Sequence, residues 1–315
     1  MAVDDARAAP INHFLMIAFV NAKINIGLDI TARRSDGYHD LSTVFYPVGV
    51  HSGEPDNPDP FADALEIVER APEMSEGAAF GSDSFLMLGR KVDCPLEKNL
   101  AVKAASLFHR CIRARGLEPL PPLLVTLQKH LPDGAGLGGG SADASFTLRM
   151  LNDMAGNPFS RGELVDMAAG LGADCPFFIY NECCYASGIG ERLEPLALDL
   201  RGKWLAVVKP PLYVSTAEAF AGVTPKASDF DLRQLPALPI REWRGVVRND
   251  FETSLFPRYP ELPRIKSALY EAGALFALMS GSGSSVYGIF DNKADAEAAR
   301  SIAGSTQSAV WLLRL

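Results

Sequence analysis

Residues 131–144 read Leu-Pro-Asp-Gly-Ala-Gly-Leu-Gly-Gly-Gly-Ser-Ala-Asp-Ala, and five glycines (Gly134, Gly136, Gly138, Gly139 and Gly140) fall within seven positions. A glycine without a Cβ can turn its amide toward a ligand and let that ligand touch the backbone. A run of such amides opening a helix is a concave site for anions, above all phosphate. The helix is readable downstream, where Ala144, Leu148, Leu151 and Ala155 recur at helical spacing and Gly156 ends the pattern. A flexible surface linker would carry polar flanks in place of that amphipathic stretch. Two familiar phosphate loops do not fit. Gly134-x-Gly136-x-x-Gly139 has the spacing of a dinucleotide fingerprint, but Asp153, at the distance of its ribose-binding acid, closes the helix and not a second strand. A Walker loop needs a lysine before its hydroxyl residue, and here Ser141 follows Gly140 directly. The cation that phosphate chemistry demands must come from elsewhere in the chain.

A lysine in a suitable setting stands near the N-terminus. Over residues 18–30 the chain alternates, with Ala18, Val20, Ala22, Ile24, Ile26, Leu28 and Ile30 on one face and Phe19, Asn21, Lys23, Asn25, Gly27 and Asp29 on the other. Period two over this length predicts a strand and sets Lys23 and Asn25 side by side, about 7 Å apart. A solvated strand face is the alternative. The turn Arg33-Arg34-Ser35-Asp36-Gly37 and then Tyr38-His39 follow at once, so cations and aromatics cluster nearby. A third group is Asp174, in Gly172-Ala173-Asp174-Cys175-Pro176-Phe177-Phe178. It follows a helix marked by a Ser160/Glu163 capping box and a Leu164, Ala168, Leu171 stripe, which Gly172 is expected to end. A carboxylate held against apolar neighbours is either a turn residue or a catalytic group tuned by its site, and the residues alone leave both open.

The elements that must position these groups form an α+β pattern. Residues 123–131 alternate as a half-exposed strand, not as the buried first strand of a parallel sheet. Farther on, residues 261–272 read as a helix ended by Gly273, residues 276–279 and 285–290 as strands joined by Ser280-Gly-Ser-Gly, residues 294–303 as a second helix, and residues 310–315 as a closing strand. Two helices on one antiparallel sheet make a layered unit. The division between units is expected near residues 186–200, with the site in the cleft. A chain of 315 residues with 48% hydrophobic composition is long enough for two cores. The net charge of −8 argues against nucleic-acid and membrane partners and against long-range steering of anions, so any cations at the site are recruited locally. Cys94, Cys111, Cys175, Cys183 and Cys184 form no metal-binding spacing, and their odd number fits reduced thiols. The acidic N-terminus lacks the cations of a signal peptide and no apolar run approaches a membrane span, so a cytoplasmic location is expected.

In chain order, Ala22-Lys23-Ile24-Asn25, the glycine loop, residues 172–178 and Ser280-Gly-Ser-Gly-Ser-Ser285-Val286-Tyr287-Gly288 resemble the GHMP kinases. Ala22-Lys-Ile-Asn-Ile-Gly-Leu28, Arg34-Ser-Asp-Gly-Tyr-His39 with Leu41 and Thr43, and Gly188-Ile-Gly-Glu191 resemble one branch of that family, whose substrate is a cytidine-diphosphate-linked alcohol of non-mevalonate isoprenoid synthesis. The likeness spans residues 19–290. It departs at residues 141–144, where a second serine is more usual than Ala142, and in an acidic, proline-rich stretch at 54–60.

The resemblance implies a tail over residues 1–13, an ATP-binding and catalytic domain over 14–190 (ribosomal protein S5 domain 2-like), and a ferredoxin-like C-terminal domain over 191–315. It implies that Pro132, Asp133, Gly134, Ala135, Gly136, Leu137, Gly138, Gly139, Gly140, Ser141 and Ala142 hold ATP, with Asn99 on the adenine side. Lys23 and Asp174 are the implied catalytic pair, while Asn25, Tyr38, His39 and Phe220 are implied at the substrate. An aromatic pair with a neighbouring histidine suits a pyrimidine, which offers two π-faces and a donor–acceptor edge. Phosphoryl transfer asks mainly for positioning and charge neutralisation. Loop amides and Mg²⁺ would provide that on the nucleotide side, Asp174 would take or orient the acceptor proton, and Lys23 would hold Asp174 ionised. No protein ligand of Mg²⁺ is assigned. The partners implied are small molecules, and the state a monomer or weak homodimer.

Overall fold

The alternation over residues 18–30 lies inside a longer strand, β1 (Leu15–Arg33). The computed structural model describes residues 15–49, 61–71 and 74–315, so the tail over 1–13 and the stretch 54–60 lie outside the described residues. Around β1 stand β2 (His39–Val48), β3 (Ala62–Glu69), β4 (Ala78–Phe80), β5 (Asp83–Gly89), β6 (Leu123–Lys129), β7 (Cys184–Ser187) and β8 (Arg192–Pro195). They form one sheet in the order β4-β5-β6-β3-β1-β2-β7-β8. β1 pairs with β3 through residues 15–21 and with β2 through residues 22–33, so one long strand joins the two halves of the sheet.

The strand expected at residues 123–131 as half-exposed is mostly buried, though it is not the first strand of a parallel sheet, since it pairs antiparallel with β3. Leu123, Leu124, Val125 and Leu127 of β6 are all buried, and β6 pairs parallel with β5. Its alternation sets leucine against leucine and threonine, a contrast too weak to tell a one-sided strand from a two-sided one. Helices α1 (Leu100–Ala114), α2 (Gly139–Met154), α3 (Arg161–Ala169) and α4 (Cys175–Tyr180) join this sheet in one core, where Phe108, Leu148, Leu151 and Phe177 meet Leu65, Ile67 and Val125. The Ser160/Glu163 capping box opens α3 as expected, but Gly170 and not Gly172 is its C-cap. The amides of Leu171 and Gly172 still donate to the Ala168 carbonyl (2.9 and 3.2 Å), so a tightened turn prolongs the coil.

β8 still pairs with β7, so the passage to the second unit runs through residues 196–203, overlapping the division expected near 186–200 and lying just beyond the limit of 190 that the resemblance implies. The second unit comprises β9 (Trp204–Lys209), α5 (Thr216–Ala221), α6 (Trp243–Val246), α7 (Asp250–Leu255), α8 (Glu261–Glu271), β10 (Phe276–Met279), β11 (Val286–Phe290), α9 (Lys293–Ala298), α10 (Ser301–Thr306) and β12 (Ala309–Arg314). Its antiparallel sheet has the order β10-β11-β9-β12, the βαββαβ topology of a ferredoxin-like unit. The single helix expected at 294–303 is split into α9 and α10. Between them the bonds from Ala299, Arg300 and Ile302 tighten to the i−3 carbonyl. The two units share a core, in which Ile24 and Ile26 of β1 meet Val207, Leu278 and Tyr287. The Leu28 amide also donates to Arg248 O (2.8 Å), tying β1 to the second unit.

Candidate active site

The glycine loop connects the end of β6 to α2 and is held from behind by its carbonyls. Ser285 N donates to Ala135 O (3.2 Å), Ser280 Oγ to Gly136 O (2.8 Å) and Lys23 N to Leu137 O (2.9 Å). With the carbonyls so engaged, the amides of Gly136 and Gly138 have no acceptor among the described residues. Gly136 needs its hydrogen atom: at φ +73° an added Cβ would lie 2.0 Å from Ser280 O. Gly138, also at φ +73°, would press a Cβ to 3.0–3.1 Å from Phe178 and Lys23. Gly139 is unlike them. It lies in α2 with ordinary φ, and its nearest neighbour would be 3.5 Å away, so the lack of a Cβ there allows close approach and is not required by the backbone conformation. The Ser280–Gly283 turn thus backs the first loop, and it is itself held by Asn249 Nδ2, which donates to Met279 O and Gly281 O (both 2.8 Å).

Lys23 does not sit on a solvated face. It is 3% exposed, with Nζ 3.3 Å from Asp174 Oδ2, 2.6 Å from Asn25 Oδ1 and 4.8 Å from the centre of the Phe45 ring. Asn25 is oriented in turn: its Nδ2 donates to Thr43 Oγ1 (2.9 Å), whose hydroxyl donates to Gly27 O (2.5 Å). This chain of donors fixes which end of the amide faces the lysine. Asp174 stands at the N-cap of α4 but makes no capping bond, so its carboxylate is not spent on the helix. The carboxylate is thus left free to face Lys23.

A cavity of about 650 Å³ gathers these groups. Lys23, Asn25 and Asp174 line it together with the loop from Pro132 to Ser141, the Gly281–Gly283 turn, and the aromatic residues Tyr38, His39 and Phe220. His39 stacks on Phe220 (ring centres 4.9 Å apart, planes at 20°), and Phe251 buttresses Phe220 edge-on (4.9 Å, 89°). Tyr38 is 60% exposed at the mouth. Two expected ATP contacts are not brought to the wall. Ala142 is fully buried inside α2. Asn99 spends its Oδ1 capping α1 through Ala101 N (2.9 Å), and its neighbour Leu100 lines the cavity. Reading the residues missed Thr43 as the orienter of Asn25, Tyr213 at the mouth beside Gly134, and Lys129 in the wall beneath the loop. The Tyr213 signal was its place in Pro-Pro-Leu-Tyr-Val; a lone lysine ending a strand gave none. Asp153 lies within α2, which removes the dinucleotide alternative.

Burial is the largest influence on the carboxyl of Asp143, one turn into α2, and pushes it well above the usual carboxylate range. Behind Asp174, burial pushes the Cys175 thiol up to about 11, and it pushes those of Cys183 and Cys184 up to about 12. Burial thus disfavours the thiolate at all three positions, and the described residues hold no cluster of three His, Cys, Asp or Glu suited to a metal.

Residues 99–182 match the GHMP kinases N terminal domain and residues 239–307 the GHMP kinases C terminal domain. A 4-diphosphocytidyl-2-C-methyl-D-erythritol kinase of Parabacteroides distasonis is 46% identical over 276 residues, covering 88% of this chain and 92% of the relative. A crystal structure of a 4-(cytidine 5'-diphospho)-2C-methyl-D-erythritol kinase superposes with a TM-score of 0.72 at 31% identity, covering 95% of this chain and all of that one (100%). Homoserine kinase from Cytophaga hutchinsonii shares the fold, with a TM-score of 0.65 at 16% identity over 98% of this chain and 96% of that one. The chain belongs to the GHMP kinases and, within them, to the 4-diphosphocytidyl-2-C-methyl-D-erythritol kinase family.

Proposed function

We propose that this chain transfers the γ-phosphoryl group of ATP to the 2-hydroxyl of 4-diphosphocytidyl-2-C-methyl-D-erythritol, releasing ADP and the 2-phosphate, in the methylerythritol phosphate route to isoprenoid precursors. The observation that carries this reading is the Lys23–Asp174 pair, 3.3 Å apart in the wall of one cavity that also contains the glycine loop and the His39–Phe220 stack. The relatives' shared name supports the substrate.

The transition state of phosphoryl transfer is loose, so the protein works by alignment and by neutralising spreading charge. Unpaired amides of the loop would bind the nucleotide phosphates, in line with the N-terminal dipole of α2. Asp174 would accept the proton of the acceptor hydroxyl or aim that hydroxyl, and the Lys23 ammonium would steady both oxygens. Asn25 and Thr43 hold that ammonium in place. Mg²⁺ is commonly bound by one or two protein oxygens plus substrate phosphates, and Ser141, which lines the cavity at the end of the loop, would supply one such oxygen. When bound, the ion would neutralise charge on the phosphates. The reading carries with it a cytoplasmic enzyme for small molecules, monomeric or weakly dimeric. Among the described residues no helix is long and apolar enough to cross a membrane.

A kinase for another alcohol, such as homoserine or mevalonate, is the competing reading, since the fold admits it. The His39–Phe220 stack disfavours it, because a small aliphatic substrate has no base for these rings to face. ATP turnover measured side by side with the cytidine-diphosphate alcohol, homoserine and mevalonate decides the matter. Turnover confined to the first supports the proposal, and preference for either of the others rejects it.

A further inference from the structure

Beneath the glycine loop lies a buried group of three ionisable side chains that the chemistry above does not use. Lys129, the last residue of β6, is 5% exposed, and its Nζ donates to Asp63 Oδ2 of β3 and to Asp143 Oδ2 of α2, the latter at 2.8 Å. Asp63 is fully buried, and its other oxygen accepts the amides of His130 (2.6 Å) and Leu131 (2.9 Å), the two residues that lead into the loop. Asp143 is 3% exposed and lies one turn beyond the loop, and its Oδ1 has no partner.

We infer that Asp63, Lys129 and Asp143 form a clasp that joins the two ends of the glycine loop and are positioning residues for the nucleotide phosphates. The inference rests on the proposed function, in that the loop is taken to hold those phosphates.

Stability alone does not account for the group, because a buried ion pair is often no better than apolar side chains of the same volume. What an apolar trio would not supply is direction. Asp63 fixes two backbone amides at the start of the loop, and Lys129 ties the same carboxylate to the helix that receives the loop. The strand end, the loop and the first turn of α2 are thereby held as one piece. Lys129 Nζ stands 3.5 Å from where a Gly139 Cβ would be, directly under the helix N-terminus. An anion site made of amides gains affinity from being held in place before the ligand arrives. The clasp touches neither acceptor hydroxyl nor base, so its effect belongs to the nucleotide alone.

The full-length chain is compared with Asp143→Asn, Asp143→Ala and Lys129→Met, using calorimetry with the non-hydrolysable analogue AMPPNP and steady-state kinetics for both substrates. Asn keeps an oxygen for Lys129, and its KM for ATP is expected within about threefold of wild type. Ala leaves Lys129 on Asp63 but cuts its link to α2, and small misplacements of a site cost up to ~10²-fold. Its KM for ATP and its dissociation constant for AMPPNP are expected to rise ~10- to 10²-fold, with the KM of the alcohol changed less than about twofold. Should Lys129→Met fail to fold, Asp143→Ala with its milder truncation decides. A merely structural clasp would lower the melting temperature of Asp143→Ala and leave both nucleotide constants of the folded protein unchanged, and that result overturns the inference. If wild type itself binds no AMPPNP, the proposed function fails and the clasp's role fails with it. Binding by wild type and by Asp143→Ala alike rejects the clasp only.

Discussion

The two ends of the cavity are built on opposite terms. At the Lys23 end Lys23, Asn25 and Thr43 are buried, Asp174 is half-buried, and the groups hold one another: Lys23 is held by Asn25 and Asp174, Asn25 by Thr43, and Thr43 by the Gly27 carbonyl. At the aromatic end Tyr38 is 60% and Tyr213 68% exposed, and the His39–Phe220 pair is steadied by ring packing on Phe251. Hydrogen bonds are directional and fix an atom, whereas ring contacts fix a slot and tolerate sliding within it. On the proposed reading, the fold invests in direction at the end that handles phosphorus, and supplies surface at the end that meets the base. Substitutions at the two ends should accordingly separate rate from affinity.

The sharpest break is expected from Asp174→Asn. It keeps the shape and removes the proton acceptor, so kcat should fall ~10²- to 10⁴-fold, the scale of general-base assistance. AMPPNP affinity, measured by calorimetry, should stay within about twofold. Full turnover in this variant would reduce Asp174 to a turn residue. At the other end, Tyr38→Ala and His39→Ala should raise KM for the cytidine substrate while AMPPNP affinity holds. A lost aromatic contact is worth ~0.5–1.5 kcal/mol and an unpaired edge ~1–3 kcal/mol, which together imply a rise of roughly ten- to a thousandfold. The upper part of that range belongs to His39, whose ring is stacked, and the lower part to exposed Tyr38. Kinetics on variants with matched melting temperatures tests this, and a KM within about twofold of wild type for both would dissolve the contrast between the two ends.

Within the loop the comparison narrows to neighbouring glycines. Gly138→Val meets a left-handed φ and a close Phe178 and Lys23, so it should weaken AMPPNP binding by about tenfold or more and also slow turnover. Gly139→Val has room and an ordinary φ, so its loss should be confined to nucleotide affinity. Identical kinetic profiles for the two would show that conformation and closeness are not separable here. The smallest effect concerns the thiols. Burial raises Cys175 to about 11 and Cys183 and Cys184 to about 12 from the ordinary 9.0, so the folded state keeps protons that the unfolded chain gives up. The stability they contribute is whole below pH 9.0 and is lost as pH climbs toward the folded values. Melting temperatures should fall between about pH 9 and 11, less steeply in Cys183→Ala/Cys184→Ala than in wild type. Equal slopes would mean that these thiols are not sheltered.

How far the site was legible depended on whether each signal was local. The strand through Lys23, the helix after the glycine loop and the Ser160/Glu163 box were readable because period and capping act over a few neighbouring residues. The candidate residues Lys23, Asp174, Tyr38, His39 and Phe220 were readable through ordered motifs and do meet in one cavity. Asn99 was read as a ligand contact, whereas its side-chain oxygen caps α1, a use that its place before a helix already allowed.

By itself, then, the sequence determined the elements, the glycine loop, the family and the residue types that phosphoryl transfer needs. Tertiary structure decided which polar groups are buried and with whom. Lys23 is part of a strand pattern that reads equally well as solvated, and only β2, α4 and the loop packed around it turn it into a buried ammonium beside Asp174. Asp63, Lys129 and Asp143 are unremarkable 66 and 14 residues apart, and only the pairing of β3 with β6 and the docking of α2 make them one group. The reason is physical. Periodicity reports the average side a residue faces, while burial and hydrogen bonding depend on long-range partners that no local pattern encodes.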